Sequence, residues 1–105
     1  MENVGLVEGS FGTPGWRKEP SGIIIQWGYG LPSAGRSTIV FPIPFPTRVF
    51  NVTFGYRESS YPTYAQSIVI DDPTLTVNGF VCRCMNASTP VTNSASAFFW
   101  RAEGR

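Results

Sequence analysis

Hydrophobic and polar residues alternate with a period of two along several short stretches of this chain, and two is the period of a β-strand. The clearest stretch runs from 47 to 55, where Phe50, Val52 and Phe54 alternate with the polar residues Asn51 and Thr53. This alternation predicts a strand with one face buried and the other in water.

Five further stretches predict strands, because each is short, rich in β-branched or aromatic residues and in most cases bounded by Gly, Pro, Asn or Asp. They cover residues 22–28, 37–41, 66–71, 79–85 and 96–104. The first of them is apolar on both faces, which is typical of a strand covered on two sides. Residues 1–21 keep no period and are rich in Gly and Pro, so they predict an extended lead-in.

Six short antiparallel strands most often form a sandwich or a barrel. The composition agrees, since 11 Gly, 9 Pro and 14% aromatic residues favour short strands joined by tight turns. A chain of 105 residues is long enough for one domain with a single core. The sequence therefore predicts an all-β fold, a six-stranded antiparallel β-sandwich.

Three polar connections of about ten residues join successive pairs of these strands, at 28–36, 56–65 and 86–95. Antiparallel strands reverse direction at each connection, so every odd-to-even connection lies at the same end of the fold. We expect the three loops to meet at the end farthest from the lead-in. Loops held on a rigid β scaffold are where binding residues concentrate.

Charge and composition exclude several functions. The net charge of +1, with no basic run, gives no electrostatic basis for binding nucleic acid. No apolar stretch is long enough to span a membrane and the N-terminus lacks a basic region followed by an apolar one, so we expect neither membrane insertion nor a secretion signal. With no His and seven carboxylates, the chain offers little material for general acid or base catalysis, so we expect no enzyme activity and no cofactor.

The two cysteines and the paired aspartates have structural explanations. Cys82 and Cys84 lie two residues apart in a predicted strand, so their side chains share one face. A disulfide between them would be strained, and we therefore expect two buried thiols. A zinc site is excluded because no His and no further Cys are available. Asp71 and Asp72 predict a turn before Pro73, in preference to a calcium contact.

Four segments carry a resemblance to a known family: residues 20–28, 41–49, 79–80 and 98–104 (PSGIIIQWG, FPIPFPTRV, GF and FFWRAEG). In this order and spacing they resemble the C-terminal domain of phage tail-fibre proteins, whose strand pattern is similar to that of H-type lectins. The resemblance implies an H-type-lectin-like sandwich at residues 22–105. It also implies that residues 1–21 lead in from a fibre shaft.

What the resemblance implies for function is a homotrimer at the distal end of a tail fibre on the virion. Its partner would be a bacterial surface polysaccharide or an outer-membrane protein. Two positions depart from the family pattern, since Arg101 and Glu103 stand where Ile is usual. We expect them either to be solvated or to pair between subunits near the three-fold axis. The chain also lacks the His that binds sugar in animal H-type lectins, so no galactosamine specificity is expected.

The loops contain the candidate ligand-binding residues. Tyr combines a flat apolar ring with a hydroxyl, which suits contacts with sugars. The alternative is that these tyrosines pack the loops onto each other or onto a neighbouring subunit. The predicted ligand-binding residues are Tyr29, Arg36, Tyr56, Arg57, Tyr61, Tyr64, Asn86 and Asn93. Trp27 and Trp100 are expected in the core, and Trp16 against a neighbouring chain.

The last predicted strand ends almost with the chain, so we expect a terminal module whose partner segment precedes Met1. One sandwich core covers a single face of the first strand, and its second apolar face therefore predicts a partner surface, as in a trimer. Two functions remain open at this point. One is a receptor-binding tip, and the other is a structural trimerisation and capping module without receptor contact.

Overall fold

The computed structural model describes residues 8–58 and 65–105, and these form nine β-strands and one 3-10 turn. The strands are β1 (Glu8–Ser10), β2 (Gly15–Lys18), β3 (Ile24–Gly30), β4 (Arg36–Val40), β5 (Val49–Tyr56), β6 (Gln66–Ile70), β7 (Gly79–Asn86), β8 (Thr92–Asn93) and β9 (Phe98–Gly104). The 3-10 turn, Asp72–Thr74, lies between β6 and β7. The predicted all-β class is confirmed, and the six predicted strands correspond to β3, β4, β5, β6, β7 and β9.

The strands form two sheets in which every pairing is antiparallel. The first sheet has the order β1-β2-β3-β9-β5. The second has the order β4-β7-β6, and the two-residue strand β8 also pairs with β7. Strands that are neighbours in the sequence often lie in different sheets, so the connecting loops cross from one sheet to the other.

The core lies between the two sheets and is built from alternate residues of the central strands. Its aromatic rings meet edge to face, as for Phe80 and Trp100, whose ring planes are 88° apart. Burying each such side chain stabilises the fold by roughly 1.5–3 kcal/mol. The buried cluster comprises Ile24, Ile39, Phe41, Phe45, Phe80, Cys82, Cys84, Phe98, Trp100 and Ala102.

Strand β3 places a polar side chain in this core. Gln26 is fully buried, and its amide donates to the Ile43 carbonyl at 2.8 Å and accepts from the Ile43 N–H at 3.1 Å. Because alternation turns Gln26 inward, Trp27 faces outward, and the prediction that Trp27 lies in the core is wrong. The Trp27 indole N–H donates to the Gly12 carbonyl at 2.8 Å, and its ring lies beside Phe11.

Residues 8–18 differ from the predicted extended lead-in, because β1 and β2 form a hairpin that extends the first sheet. Glycine interrupts their pattern and the strands are only three and four residues long, so no period is visible in the sequence. Pairing with β3 satisfies backbone groups that an isolated segment would leave to water. Trp16 is partly buried and packs against the core of its own chain.

Strand β5 begins with an irregularity that the sequence pattern does not predict. The register with β9 shifts between Val49 and Asn51, so the residue between them is not part of the alternation. Phe50 is therefore 44% exposed, although Val52 and Phe54 pack against the core as predicted. A bulge of this kind redirects the side chain of the extra residue.

One end of the sandwich, which we call the loop end, contains the connection from β3 to β4, the connection from β7 to β9 and the described residues on either side of positions 59–64, in the connection from β5 to β6. The ends of β3 and β5 pair with the start of β9, since Gly30 and Tyr56 both lie opposite Phe98. Backbone hydrogen bonds then join the loops, from Arg57 N–H to the Ala97 carbonyl at 2.8 Å and from Ala87 N–H to the Ala65 carbonyl at 2.7 Å. The shared end agrees with the polarity expected from the sequence.

Candidate functional site

A closed ring of hydrogen bonds fixes the loop end. One Glu58 carboxylate oxygen accepts from the Gln66 amide at 2.7 Å and from the Ser96 hydroxyl at 2.8 Å. The Ser94 hydroxyl donates to Gln66 Oε1 at 2.8 Å and accepts from the Ser96 N–H at 3.1 Å. The ring joins the segment after β5, the start of β6 and the segment before β9. The ring therefore holds these three described segments together.

Beside this ring lies an open cavity of about 430 Å³, lined by Arg57, Glu58, Ala95, Ser96 and Ala97. Its volume is within the range of roughly 300–1,000 Å³ found for small-ligand sites. One guanidinium, one carboxylate and one hydroxyl border an alanine-lined floor. Such a surface offers both hydrogen-bond donors and acceptors together with a small apolar patch, which is what a sugar ring requires.

On the outer face of the first sheet, Tyr29 of β3 lies directly opposite Phe99 of β9. The Tyr29 side chain is 55% exposed and that of Phe99 is 51% exposed. Gly55 of β5 lies on the other side of Phe99, where a Cβ atom would meet nothing within 4 Å, so the ring is left uncovered there. The Arg57 guanidinium lies 5.0 Å from the centre of the Phe99 ring. We call Tyr29, Phe99 and Arg57 the aromatic surface.

On the outer face of the second sheet, Arg36 of β4 lies directly opposite Arg83 of β7. Asn93 lies beside them, and its Oδ1 is 3.5 Å from an Arg83 Nη2 donor. Asn86 holds this region in shape, since its amide donates to Thr92 Oγ1 at 3.3 Å and to the Asn93 carbonyl at 3.4 Å. We call Arg36, Arg83 and Asn93 the basic surface.

The predicted ligand-binding residues thus separate into groups. Tyr29 and Arg57 meet at the aromatic surface, whereas Arg36 and Asn93 meet at the basic surface. Asn86 supports the basic surface through its hydrogen bonds. Tyr61 and Tyr64 lie outside the described residues.

Tyr56 points into the sandwich. Its hydroxyl donates to the Ser67 carbonyl at 2.9 Å and its ring packs edge to face with Phe98. Burial is the main cause that raises the pKa of its hydroxyl, followed by the neighbouring Cys84 thiol. Tyr56 therefore has a structural role and belongs to neither the aromatic surface nor the basic surface.

Phe99 and Arg83 contribute to these surfaces and were not among the predicted residues. The signal for both is alternation, because Phe98 and Cys82 point inward and so turn Phe99 and Arg83 outward. An exposed aromatic next to a buried one in a terminal strand can be found by this pattern. The direct opposition of Arg36 and Arg83 depends on register, which the pattern alone does not give.

Within the described ranges, no three His, Cys, Asp or Glu side chains group as a metal site. The same residues contain no helix that is long and apolar enough to cross a membrane.

Arg101 and Glu103 form an ion pair within one chain, at 3.2 Å, on the outer face of β9. Both side chains are partly exposed, which agrees with the expectation that they are solvated, and pairing between subunits stays a prediction.

The fold has close relatives among solved structures. The R2-type pyocin tail fibre, N-truncated, superposes with a TM-score of 0.74 at 27% identity, over 95% of this chain and 38% of that chain. The C-terminal part of the P. aeruginosa R2 pyocin fibre also gives 0.74 at 27% identity, over 95% of this chain and 26% of that chain. An N-truncated R1-type pyocin tail fibre gives 0.73 at 21% identity, over 95% of this chain and 86% of that chain, and shows the fold alone.

This chain therefore spans less than two fifths of the R2-type fibre chains that it matches. Among curated protein sequences, none matches it. The family model for the C-terminal region of gp53-like tail fibre proteins matches residues 18–105. That match begins at the end of β2 and includes the rest of both sheets and the loop end. The chain belongs to the gp53-like tail fibre C-terminal family.

Proposed function

We propose that this chain is the receptor-binding tip of a tail fibre of a phage or phage-like particle. The observation that carries the proposal is the set of hydrogen bonds that joins the described parts of the predicted loops 56–65 and 86–95, together with the segment before β9, at one end of a tail-fibre domain. Loop 28–36 is proposed to act with them. Family membership supports a place in a fibre, and the loop end brings the polar side chains of Arg57, Glu58 and Ser96 together. The proposed receptor is a bacterial surface glycan or an outer-membrane protein.

The aromatic surface supports recognition of a glycan. Sugar rings pack their apolar faces on aromatic side chains, and their hydroxyls take hydrogen bonds from groups at the edge. Tyr29 and Phe99 provide two neighbouring exposed rings, and Arg57 extends from them to the cavity beside Glu58. An open site of this kind binds one sugar epitope with a Kd of roughly 1 mM, about −4 kcal/mol.

We further propose that the chain acts as a homotrimer at the distal end of the fibre. Three weak sites on one fibre, and several fibres on one particle, raise the overall affinity by factors on the order of 10²–10⁴ through effective concentration. Weak binding by a single chain is therefore compatible with firm adsorption. Residues 1–21, with the β1–β2 hairpin, would connect the tip to a fibre shaft.

The second candidate function is a trimerisation and capping module without receptor contact. It is favoured by the exposed apolar residues on the outer face of the first sheet, where Phe11 is 63% exposed in addition to Tyr29 and Phe99. A neighbouring subunit could cover these rings, since exposed apolar patches mark interaction surfaces.

One double variant distinguishes the two functions. Tyr29→Ala combined with Phe99→Ala removes the aromatic surface, and Val40→Ala, at a 74% exposed residue of the second sheet, is the control. If the chain is a receptor-binding tip, fibres that carry the double variant should remain trimeric in analytical ultracentrifugation but should no longer adsorb to the host. Loss of the trimer would support the capping function, and normal adsorption by trimeric double-variant fibres would overturn the proposed receptor contact.

A further inference from the structure

The basic surface contains two cations at the shortest spacing that a sheet allows. Arg36 and Arg83 are register partners in adjacent strands, and both side chains point outward and are exposed. Side chains directly opposite each other in an antiparallel pair have Cβ atoms about 5 Å apart, and like charges in that position are destabilising. An opposite charge beside the pair would offset this repulsion.

No such compensation is found in the described part of the chain. Its ion pairs are Arg17 with Glu19 and Arg101 with Glu103, and neither includes Arg36 or Arg83. Asp71 lines the same cavity as the two arginines but forms no ion pair with them. Both guanidinium groups therefore retain most of their donors for a ligand.

The cavity itself has the size and the donors of a small binding site. It measures about 390 Å³, and Arg36, Arg83, Asn93, Gly35 and Asp71 contribute to its lining. Because Asn93 Oδ1 lies toward Arg83 Nη2, at 3.5 Å, the amide NH₂ group of Asn93 remains available as a further donor. Three side chains thus present donors to one volume.

A tight turn fixes the position of Arg36. Ser33 and Arg36 exchange two backbone hydrogen bonds, at 2.8 and 3.0 Å, and the two residues between them have positive φ angles, 53° for Ala34 and 76° for Gly35. A Cβ atom on Gly35 would collide with the Asn93 side chain, so the absence of a side chain at 35 allows Asn93 to lie against the turn. The turn therefore sets the backbone of Arg36 and the side chain of Asn93 before any ligand arrives, which lowers the entropic cost of binding.

We propose that the basic surface is a binding site for an anionic substituent, a phosphate or a carboxylate, of a bacterial surface glycan. Guanidinium groups bind both oxyanions through pairs of charge-assisted hydrogen bonds. A ligand charge between Arg36 and Arg83 also removes their mutual repulsion. The glycan as the source of the anion rests on the proposed function, whereas the anion site itself rests on the geometry.

The test is an NMR titration of the ¹⁵N-labelled 105-residue chain at low salt with three probes: glucose 6-phosphate, glucuronate and neutral glucose. We expect glucose 6-phosphate or glucuronate to shift the signals of Arg36, Arg83 and Asn93, and glucose to leave them unchanged. The more strongly bound probe identifies the anion as phosphate or carboxylate. Arg83→Gln should raise the Kd about tenfold or more, and added NaCl should weaken binding to the wild type.

Arg48→Gln is the matched control, because Arg48 is also exposed but lies over the Phe50 ring, 5.3 Å from its centre, at the start of β5. Equal shifts with glucose, or an unchanged Kd in Arg83→Gln, would overturn the anion site. If the anion binds but Arg83→Gln fibres adsorb as wild type does, the assignment to a receptor glycan is overturned. Normal adsorption by trimeric Tyr29→Ala, Phe99→Ala fibres bears only on the proposed function and leaves the anion site standing.

Discussion

The Ser94 hydroxyl donates a hydrogen bond to Gln66 Oε1 across 28 positions of sequence, at 2.8 Å. Ser94 is 1% exposed, so this bond is shielded from water and anchors the segment before β9 to the start of β6. Through Gln66 and Ser96 it also reaches Glu58, next to the cavity of the loop end. The geometry of the candidate site thus depends on the buried hydrogen bond between Ser94 and Gln66.

Ser94→Ala should destabilise the chain and loosen the loop end. The substitution leaves Gln66 Oε1 and the Ser96 N–H without their partner, and a buried polar group without a partner costs about 1–3 kcal/mol. Urea unfolding should report this loss of free energy. Ser67→Ala is the control, because Ser67 is an exposed residue of the same strand β6 as Gln66, and it should change stability by less than about 0.5 kcal/mol. Equal stability of the two variants would contradict a structural role for the ring.

Gln26→Leu should also destabilise the fold, by about 2–6 kcal/mol, since two Ile43 backbone groups lose their partner and each such loss costs about 1–3 kcal/mol.

Gln26→Glu tests the two hydrogen bonds separately. At neutral pH its carboxylate can accept from the Ile43 N–H, but it has no donor for the Ile43 carbonyl. Protonation restores the donor, so burial should raise the pKa of this Glu and the variant should gain stability relative to wild type as the pH falls toward 4. Urea unfolding at pH 4 and pH 7 provides the measurement, and a variant as stable as wild type at pH 7 would contradict it.

The strands that the sequence predicts are those whose side chains alternate between core and water. Strand β9 is an example, because Phe98 and Trp100 are buried and Phe99 and Arg101 are exposed. Gln26 illustrates the limit of such patterns, since a polar residue inside a strand is assigned to the surface unless its partner is known. Its partner, Ile43, is 17 positions away.

The candidate site was predictable in part from the direction of the strands. Strand polarity alone places the three loops at one end, and that feature needs no contact information. The separation of Tyr29 from Arg36 onto opposite faces follows from the assignment of β3 and β4 to different sheets. Sheet assignment depends on long-range pairing, which a local pattern does not contain.

Gly79→Ala should cost about 1–3 kcal/mol, through overpacking and backbone strain. Gly79 opens β7 with a φ of 156°, and a Cβ atom there would collide with the Ile39 carbonyl oxygen of the paired strand β4. Gly55→Ala is the matched control, since a Cβ atom at 55 would meet nothing within 4 Å and the residue lies in a strand of the other sheet. Thermal unfolding should show a lower Tm for Gly79→Ala and a Tm within a few degrees of wild type for Gly55→Ala. The reverse order would contradict the close approach of β4 and β7.

The two thiols should be inert in the folded chain and should make its stability fall at alkaline pH. Burial, followed by the charge of Cys84, raises the pKa of the Cys82 thiol to about 12, and burial also raises the pKa of Cys84. Because the thiolate is the reactive form, a disulfide reagent at pH 8 should label neither residue until urea is added. The unfolded chain releases these protons near the ordinary value of 9.0, and the folded chain retains them until higher pH.

Their contribution to stability is therefore complete below pH 9 and decreases as the pH rises from 9 toward 12. Urea unfolding at pH 7, 9 and 10 should show this decrease, and Cys82→Ala combined with Cys84→Ala should reduce its slope between pH 9 and 10. Rapid labelling of the native chain at pH 8 would show that the two thiols are accessible, and the interior position of β7 would then have to be revised.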